Sequence, residues 1–345
     1  MYKKILVINL GGIGDILLSQ PAIRALKNKF FDAELNLLVV RRVAEFLKNT
    51  AYSFIDKVFI FEPNFFGIIN NLFTLFYLRE KKFDLAINMR TLVSEKGARN
   101  INMLFKILSA KKTVGRDTEG RGNFFDIKIP ETDKGLYYER DYDIMTVEAL
   151  GISVEDKNIY FHIEEKDSLY VEKILKDFKV DSNKPIIGFH IGGMPSRRWP
   201  IEYFAKALDI ISRKFNCVFV VTGSKDEVTL AKRLKKLTDV NFIDLIGKLT
   251  AGQLASLIKK FRIFVSNDTG PMHLAAVLKV PLVAIFGPGD LTRYNPKVIW
   301  EKAIVLEGGY ICSPCNKVFC RSKECLYRIS YEKLVDSVLK ILNKC

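Results

Sequence analysis

No apolar run in the 345-residue chain reaches the roughly 18 residues that a membrane-spanning helix needs. That lack excludes an integral membrane span. Long low-complexity stretches are also missing, and with 48% apolar and 12% aromatic residues the chain is not a disordered one. The apolar core of a secretory signal is absent as well, because Met1 to Leu10 carries two lysines before a short apolar run that a glycine-rich turn ends. The segment reads as the first strand of a cytoplasmic protein. Acidic residues are outnumbered, 39 Asp and Glu against 54 Lys and Arg, which leaves a net charge of +15. Such a surplus fits a negatively charged partner, whether nucleic acid, anionic lipid or phosphorylated substrate. A generally lysine-rich composition accounts for it equally. No helix-turn-helix, zinc-finger or RNA-recognition pattern accompanies the charge, so nucleic acid is not an expected partner.

The length suggests two domains of about 150 to 180 residues with a cleft between them. Short β-branched runs alternate with helical patterns from the start. Lys4 to Leu10, Glu34 to Val40, Lys57 to Phe61, Phe83 to Asn88 and Thr113-Val-Gly115 read as strands. A polar stretch from Glu155 to Lys184 then holds an amphipathic helix near Ser168 to Phe178, and the interdomain linker is expected there. The alternation restarts at Pro185 with strands at Ile186 to His190, Cys217 to Thr222, Asn241 to Leu245, Ile263 to Ser266 and Pro281 to Phe286. This is an α/β pattern of two doubly wound domains with mostly parallel sheets.

Three turns carry chemistry. Asn9-Leu-Gly-Gly-Ile-Gly-Asp15 joins the first strand to a helix, and Gly11, Gly12 and Gly14 permit positive φ and close backbone approach. Leu17 stands where a dinucleotide fingerprint requires its third glycine, and no Walker A sequence is present. Asp15 either caps the helix or serves as a general base toward an acceptor hydroxyl. His190-Ile-Gly-Gly-Met-Pro-Ser-Arg-Arg-Trp-Pro200 offers the amides of Gly192 and Gly193 with the charges of Arg197 and Arg198, a combination suited to a diphosphate. His190 and Trp199 read as packing residues. In Val265-Ser-Asn-Asp-Thr-Gly-Pro-Met-His273, Asp268 or Thr269 caps a helix opened by Pro271, whose amides and dipole form a second anion site.

Together, GGIGD after the first strand, the basic R-R-W-P turn, S-N-D-T-G-P-M-H-L-A and F-G-P-G-D resemble glycosyltransferase family 9, the bacterial heptosyltransferases, over essentially the whole chain. The resemblance implies a glycosyltransferase type B fold of two Rossmann-like domains facing a cleft. Residues 1–165 would bind the acceptor and residues 180–330 the nucleotide sugar, while the helix of residues 331–345 would pack back toward the first domain. It implies transfer of a sugar, heptose from ADP-heptose first among candidates, to a lipopolysaccharide core or related anionic glycolipid by an inverting displacement. No cofactor is required for that chemistry. Asp15 matches the family's proposed base. Gly192, Gly193 and Arg197 match its phosphate turn, although the family often has lysine where Arg197 stands. Asp268, Thr269, Gly270 and His273 match its donor-site segment. An acidic residue just after Gly223 would hold the donor ribose, but Lys225 intervenes before Asp226 and Glu227. Lys96, Arg99, Arg116 and Arg121 are candidate contacts for the acceptor. A nucleotide-binding protein without catalysis, or a member using another sugar nucleotide, would present the same turns.

Two further features stay open. Cys312, Cys315, Cys320 and Cys325 form C-x2-C-x4-C-x4-C, readable as reduced thiols or as a structural metal site. The run Phe65 to Leu78, followed by Arg79, Lys81 and Lys82, fits either a buried helix or a helix resting in a membrane interface. The latter suits a peripheral protein at the inner leaflet. Asp141-Tyr-Asp143 matches the D-x-D of metal-dependent glycosyltransferases but reads as a helix start.

Overall fold

Branched apolar runs such as Ile5-Leu-Val-Ile8 suit strands buried on both faces. The computed structural model, which describes residues 2–47, 52, 54–62, 68–315 and 317–343, places them so. The chain divides into two units at Tyr160/Phe161. Strands of the first are β1 (Lys4–Asn9), β2 (Glu34–Val39), β3 (Lys57–Ile60), β4 (Leu85–Asn88), β5 (Lys112–Thr118) and β6 (Ile127–Glu131). Those of the second are β7 (Ile186–His190), β8 (Val218–Thr222), β9 (Phe242–Asp244), β10 (Ile263–Asn267), β11 (Leu282–Phe286) and β12 (Ile304–Glu307). Among the described residues the sheets run β3-β2-β1-β4-β5-β6 and β9-β8-β7-β10-β11-β12, with every pairing parallel. Both follow the same doubly wound path, as expected for two Rossmann-like halves.

Helices α1 (Ile13–Lys29), α2 (Arg41–Leu47), α3 (Ile68–Glu80), α4 (Glu95–Leu108) and α5 (Glu139–Glu148) belong to the first unit. Its core includes Leu6, Ile8, Phe83, Leu104, Phe105 and Phe125. The second unit holds α6 (Glu165–Asp177), α7 (Ile201–Lys214), α8 (Val228–Leu237), α9 (Ala251–Lys260), α10 (Gly270–Val277), α11 (Leu291–Tyr294), α12 (Glu324–Tyr327) and α13 (Tyr331–Leu342). No helix among the described residues is long and apolar enough to cross a membrane.

The boundary between the units falls inside the polar stretch of residues 155–184, most of which belongs to the second unit, where α6 packs on α9. The last helix packs on α7, β11 and β12 of its own unit, where Leu334, Val335, Val338 and Leu342 bury their side chains in the core. Two strands went unanticipated, β6 and β12. Each borders its sheet, and β6 contains Pro130, which an edge strand tolerates. The expected Phe65 to Leu78 helix lies partly outside the described residues; its remainder forms α3.

Candidate active site

In a doubly wound sheet, ligands bind beyond the carboxyl ends of the strands where the order reverses. In the first unit that point lies between β1 and β4, and the turns that follow these strands meet there in an ion pair of Asp15 with Arg90. Asp15 also accepts a hydrogen bond from the Gly12 amide at 2.6 Å, so it closes the start of α1 as a capping residue. The capping role and a role as base thus fall on the same carboxylate. A Cβ at Gly11 would lie 2.5 Å from Asp15 Oδ2, which is why that position has no side chain. Gly11, Gly12 and Gly14 are not among the residues of positive φ, a correction to the expected reason for them. At Gly11 the need is closeness, not handedness.

Beneath this pair lies a buried polar network. Asn9 accepts from the Gly11 amide at 3.1 Å and donates to Ser19 Oγ at 2.9 Å, and Ser19 donates to Asp143 at 2.6 Å. Asp143 pairs with Arg116, whose fully buried guanidinium also meets Glu139 at 2.7 Å and Glu131 at 3.2 Å. Thr91, the neighbour of Arg90, donates to Glu131 at 3.0 Å. Both turns that present the Asp15–Arg90 pair therefore rest on Arg116. Burial alone would weaken the hold of Arg116 on its proton, but the three carboxylates override it and push its pKa up. Burial pushes the Asp143 carboxyl up to about 7 against the pull of Arg116, with Glu139 adding to the rise. One guanidinium cannot neutralise three buried carboxylates.

The matching point in the second unit lies between β7 and β10. Gly193 has φ +126°, a conformation that favours glycine, and its amide donates to Glu227 Oε1 at 2.6 Å. A Cβ on Gly192 would sit 1.9 Å from Glu227 Oε2, so the glycine lets the carboxylate reach under the turn. Glu227 also accepts from the Ser224 amide at 2.7 Å and pairs with Arg198 at 3.1 Å. Its carboxylate is thereby engaged in holding this turn, although it is one of the two acidic residues, with Asp226, that follow Gly223 and Lys225. Asn267 clamps the same turn from β10, donating to the Gly192 carbonyl at 2.9 Å and accepting from the Trp199 amide at 3.1 Å.

Arg197 pairs with buried Asp268 at 2.8 Å, joining the basic turn to the end of β10. Thr269 is the N-cap of α10 but its side chain makes no capping bond; Gly270 and Pro271 open the helix. Pro271 has no amide hydrogen and the Met272 amide donates to the Thr269 carbonyl at 3.0 Å, so what this end of α10 offers an anion is chiefly the positive end of its dipole. His273 is buried in α10 beside the Tyr294 ring. His190 is buried against Thr222, and burial lowers its pKa to about 4, in keeping with a packing role. Trp199 is buried too, its indole donating to the Ile329 carbonyl at 2.9 Å.

Of the expected acceptor contacts, Lys96 and Arg99 are exposed on the first turns of α4, which Ser94 caps. Arg121 is bound to the Leu92 carbonyl at 2.6 Å and to Asp133. Arg116 is corrected: at 0% exposure it touches no ligand at the surface. Asp141 and Asp143 lie in α5, and among the described residues no group of three His, Cys, Asp or Glu side chains is arranged to hold a metal, the four cysteines included. Cys312 is exposed and Cys325 buried. Their loop nonetheless braces the basic turn, with Val318 accepting from the Ser196 amide at 3.0 Å and the Cys315 amide donating to Pro288 at 2.8 Å. Arg90 was missed in the sequence, although it stands two residues beyond a strand end beside the point of reversal. Glu227 and Asn267 were likewise missed as supports of the turn.

The family model of glycosyltransferase family 9 (heptosyltransferase) matches residues 76–326. A lipooligosaccharide heptosyltransferase 2 of Campylobacter jejuni is 24% identical over 339 residues, 96% of this chain and 95% of its own length. Among solved structures, a glycosyltransferase family 9 protein from Veillonella parvula aligns with TM-score 0.76 at 22% identity, covering 100% of this chain and 98% of that one. The ADP-heptose lipopolysaccharide heptosyltransferase II of Escherichia coli aligns with TM-score 0.71 at 21% identity, with 99% of each chain covered.

Proposed function

The chain belongs to glycosyltransferase family 9, the heptosyltransferases, and from that premise we propose that it transfers heptose from ADP-heptose to a lipopolysaccharide core or a related anionic glycolipid. The observation that carries this reading is the donor side of the second unit, where the Gly192–Gly193 turn and Arg197, paired with Asp268, stand beside the N-terminal end of α10 at the point where the strand order reverses. A nucleoside diphosphate has the charge and size for that set. In the reaction an acceptor hydroxyl oxygen bonds to the anomeric carbon with inversion, Asp15 takes the hydroxyl proton, and the bond from that carbon to the β-phosphate oxygen breaks. ADP leaves with the bonding pair, stabilised by Arg197 and the positive end of the α10 dipole. Arg90 orients the Asp15 carboxylate. No cofactor enters these steps. The acceptor is drawn from the cytoplasmic face of a membrane, to which the protein attaches peripherally.

Calorimetric titration with ADP, UDP, GDP and ADP-heptose tests the donor, and ADP release with a lipid-core acceptor tests the transfer. Selective ADP-heptose binding with acceptor-dependent turnover supports the reading. Arg197→Gln is expected to weaken ADP binding by about tenfold to a hundredfold. If no nucleotide binds, the donor-site assignment fails.

A further inference from the structure

Helix α3 carries apolar residues on two sides. One side serves the fold: Leu78 is buried, Leu75 packs on the first unit's core, and Asn71 holds Glu62 through bonds of 2.9 and 2.7 Å to its amide and carbonyl. The other side presents Ile69, Leu72, Phe73 and Phe76, spaced i, i+3, i+4 and i+7, with exposures of 67, 62, 73 and 67%. A helix that only covers a core carries polar residues there. Single exposed apolar side chains are ordinary, whereas four on one stripe mark a contact surface. Exposed Arg79 and Lys82 stand at the helix's C-terminal end, with Glu80 as the acidic residue among them, in a chain of net charge +15.

We propose that this stripe docks the first unit on an anionic lipid surface, with α3 lying in the headgroup region, its phenylalanines among the upper acyl chains and Arg79 and Lys82 at lipid phosphates. At 13 residues the helix is too short to span a bilayer, but its length suits an interfacial helix. The charge selects the occupant: a second copy of a +15 chain would be repelled, whereas an anionic surface attracts it. The inference deepens the proposed transfer to a glycolipid and rests on that reading for its purpose. Its test does not depend on turnover.

The test is co-sedimentation of the full chain with vesicles of phosphatidylethanolamine and phosphatidylglycerol, beside vesicles of phosphatidylcholine alone. Binding to the anionic vesicles that weakens with salt is expected. Phe73→Ser/Phe76→Ser should lower that affinity by at least about tenfold without shifting the thermal melt, because both side chains are exposed. Phe73→Trp should retain binding and shift its fluorescence to the blue on anionic vesicles. Transfer to a deacylated, water-soluble acceptor should be unchanged in the double variant, while KM for the same acceptor in vesicles rises. Equal vesicle binding by wild type and the double variant overturns the inference, as does a wild type that ignores anionic vesicles. A wild-type dimer that the double substitution dissociates also overturns it, making the face a contact between copies. Absence of turnover with either acceptor, with vesicle binding intact, counts against the proposed reaction and leaves the docking surface standing.

Discussion

Replacing Arg116 with methionine removes a fully buried cation from a site that holds Glu131, Glu139 and Asp143. Losing one partner of a buried ion pair costs about 3–5 kcal/mol. Protonation relieves part of that cost, because burial already pushes the Asp143 carboxyl up to about 7. We therefore expect urea unfolding of Arg116→Met at pH 7 to show a loss of about 3 kcal/mol, and a smaller loss at pH 5. Asp143→Asn isolates the proton. The folded pKa of Asp143 lies above the unfolded value of 3.8, so its stabilising contribution is full below that value and is lost as pH rises through about 7. The stability of wild type relative to Asp143→Asn should accordingly fall between pH 5 and pH 8. Far-ultraviolet circular dichroism during urea titration at several pH values reads both effects, since the two tryptophans both lie in the second unit. A difference that stays flat over that range, or an Arg116→Met chain as stable as wild type at pH 7, would refute the account of the network.

Asp15→Asn should lower kcat by about 10²- to 10⁴-fold while leaving ADP affinity in calorimetry within about twofold, since the group is assigned to proton transfer and not to the donor. Gly192→Ala places a methyl where Glu227 Oε2 lies 1.9 Å away, so the carboxylate must leave the Gly193 and Ser224 amides. A stability loss of about 2 kcal/mol and weaker ADP binding are expected together, and a variant that melts and binds like wild type would show that the turn does not need its prop. Asp84 ties the start of β1 to β4 through the Lys3 and Lys4 amides at 2.9 and 3.0 Å, and with Lys111 as the leading cause its pKa falls to about 2. Its contribution is present above the ordinary 3.8 and lost as pH falls through about 2, so acid unfolding of Asp84→Asn should be less steep there than that of wild type.

The two-sheet architecture was legible because parallel strands buried on both faces spell apolar runs, as in Ile5-Leu-Val-Ile8 and Leu282-Val-Ala-Ile-Phe286. Edge strands lack that signal, and Ile127-Lys-Ile-Pro-Glu131 went unseen. The donor-side turns could be read because glycine, proline and arginine at fixed offsets reflect local backbone needs. Arg116 could not. In Lys112-Thr-Val-Gly-Arg-Asp-Thr118 it looks like a surface charge, and its carboxylates come from β6 and α5, 15 to 27 residues away in the chain. Only sheet register brings them together. Helix α3 was ambiguous for a different reason: its composition cannot tell which apolar side faces a core, and here just one does.

The order β3-β2-β1-β4-β5-β6 also sets a schedule for the growing polypeptide. Ile5 on β1 can pair with Leu35 early, but its other neighbour is Leu85, eighty residues on. At about 5–20 residues per second, one flank of this buried apolar strand waits about 4 to 16 seconds for its partner to be made. The second unit repeats the delay between Ile187 and Ile263. During each interval an unpaired apolar edge is open to other nascent chains. Slow translation through the region preceding Leu85 or Ile263 should therefore reduce the yield of native protein more than an equal pause after β6 or β12.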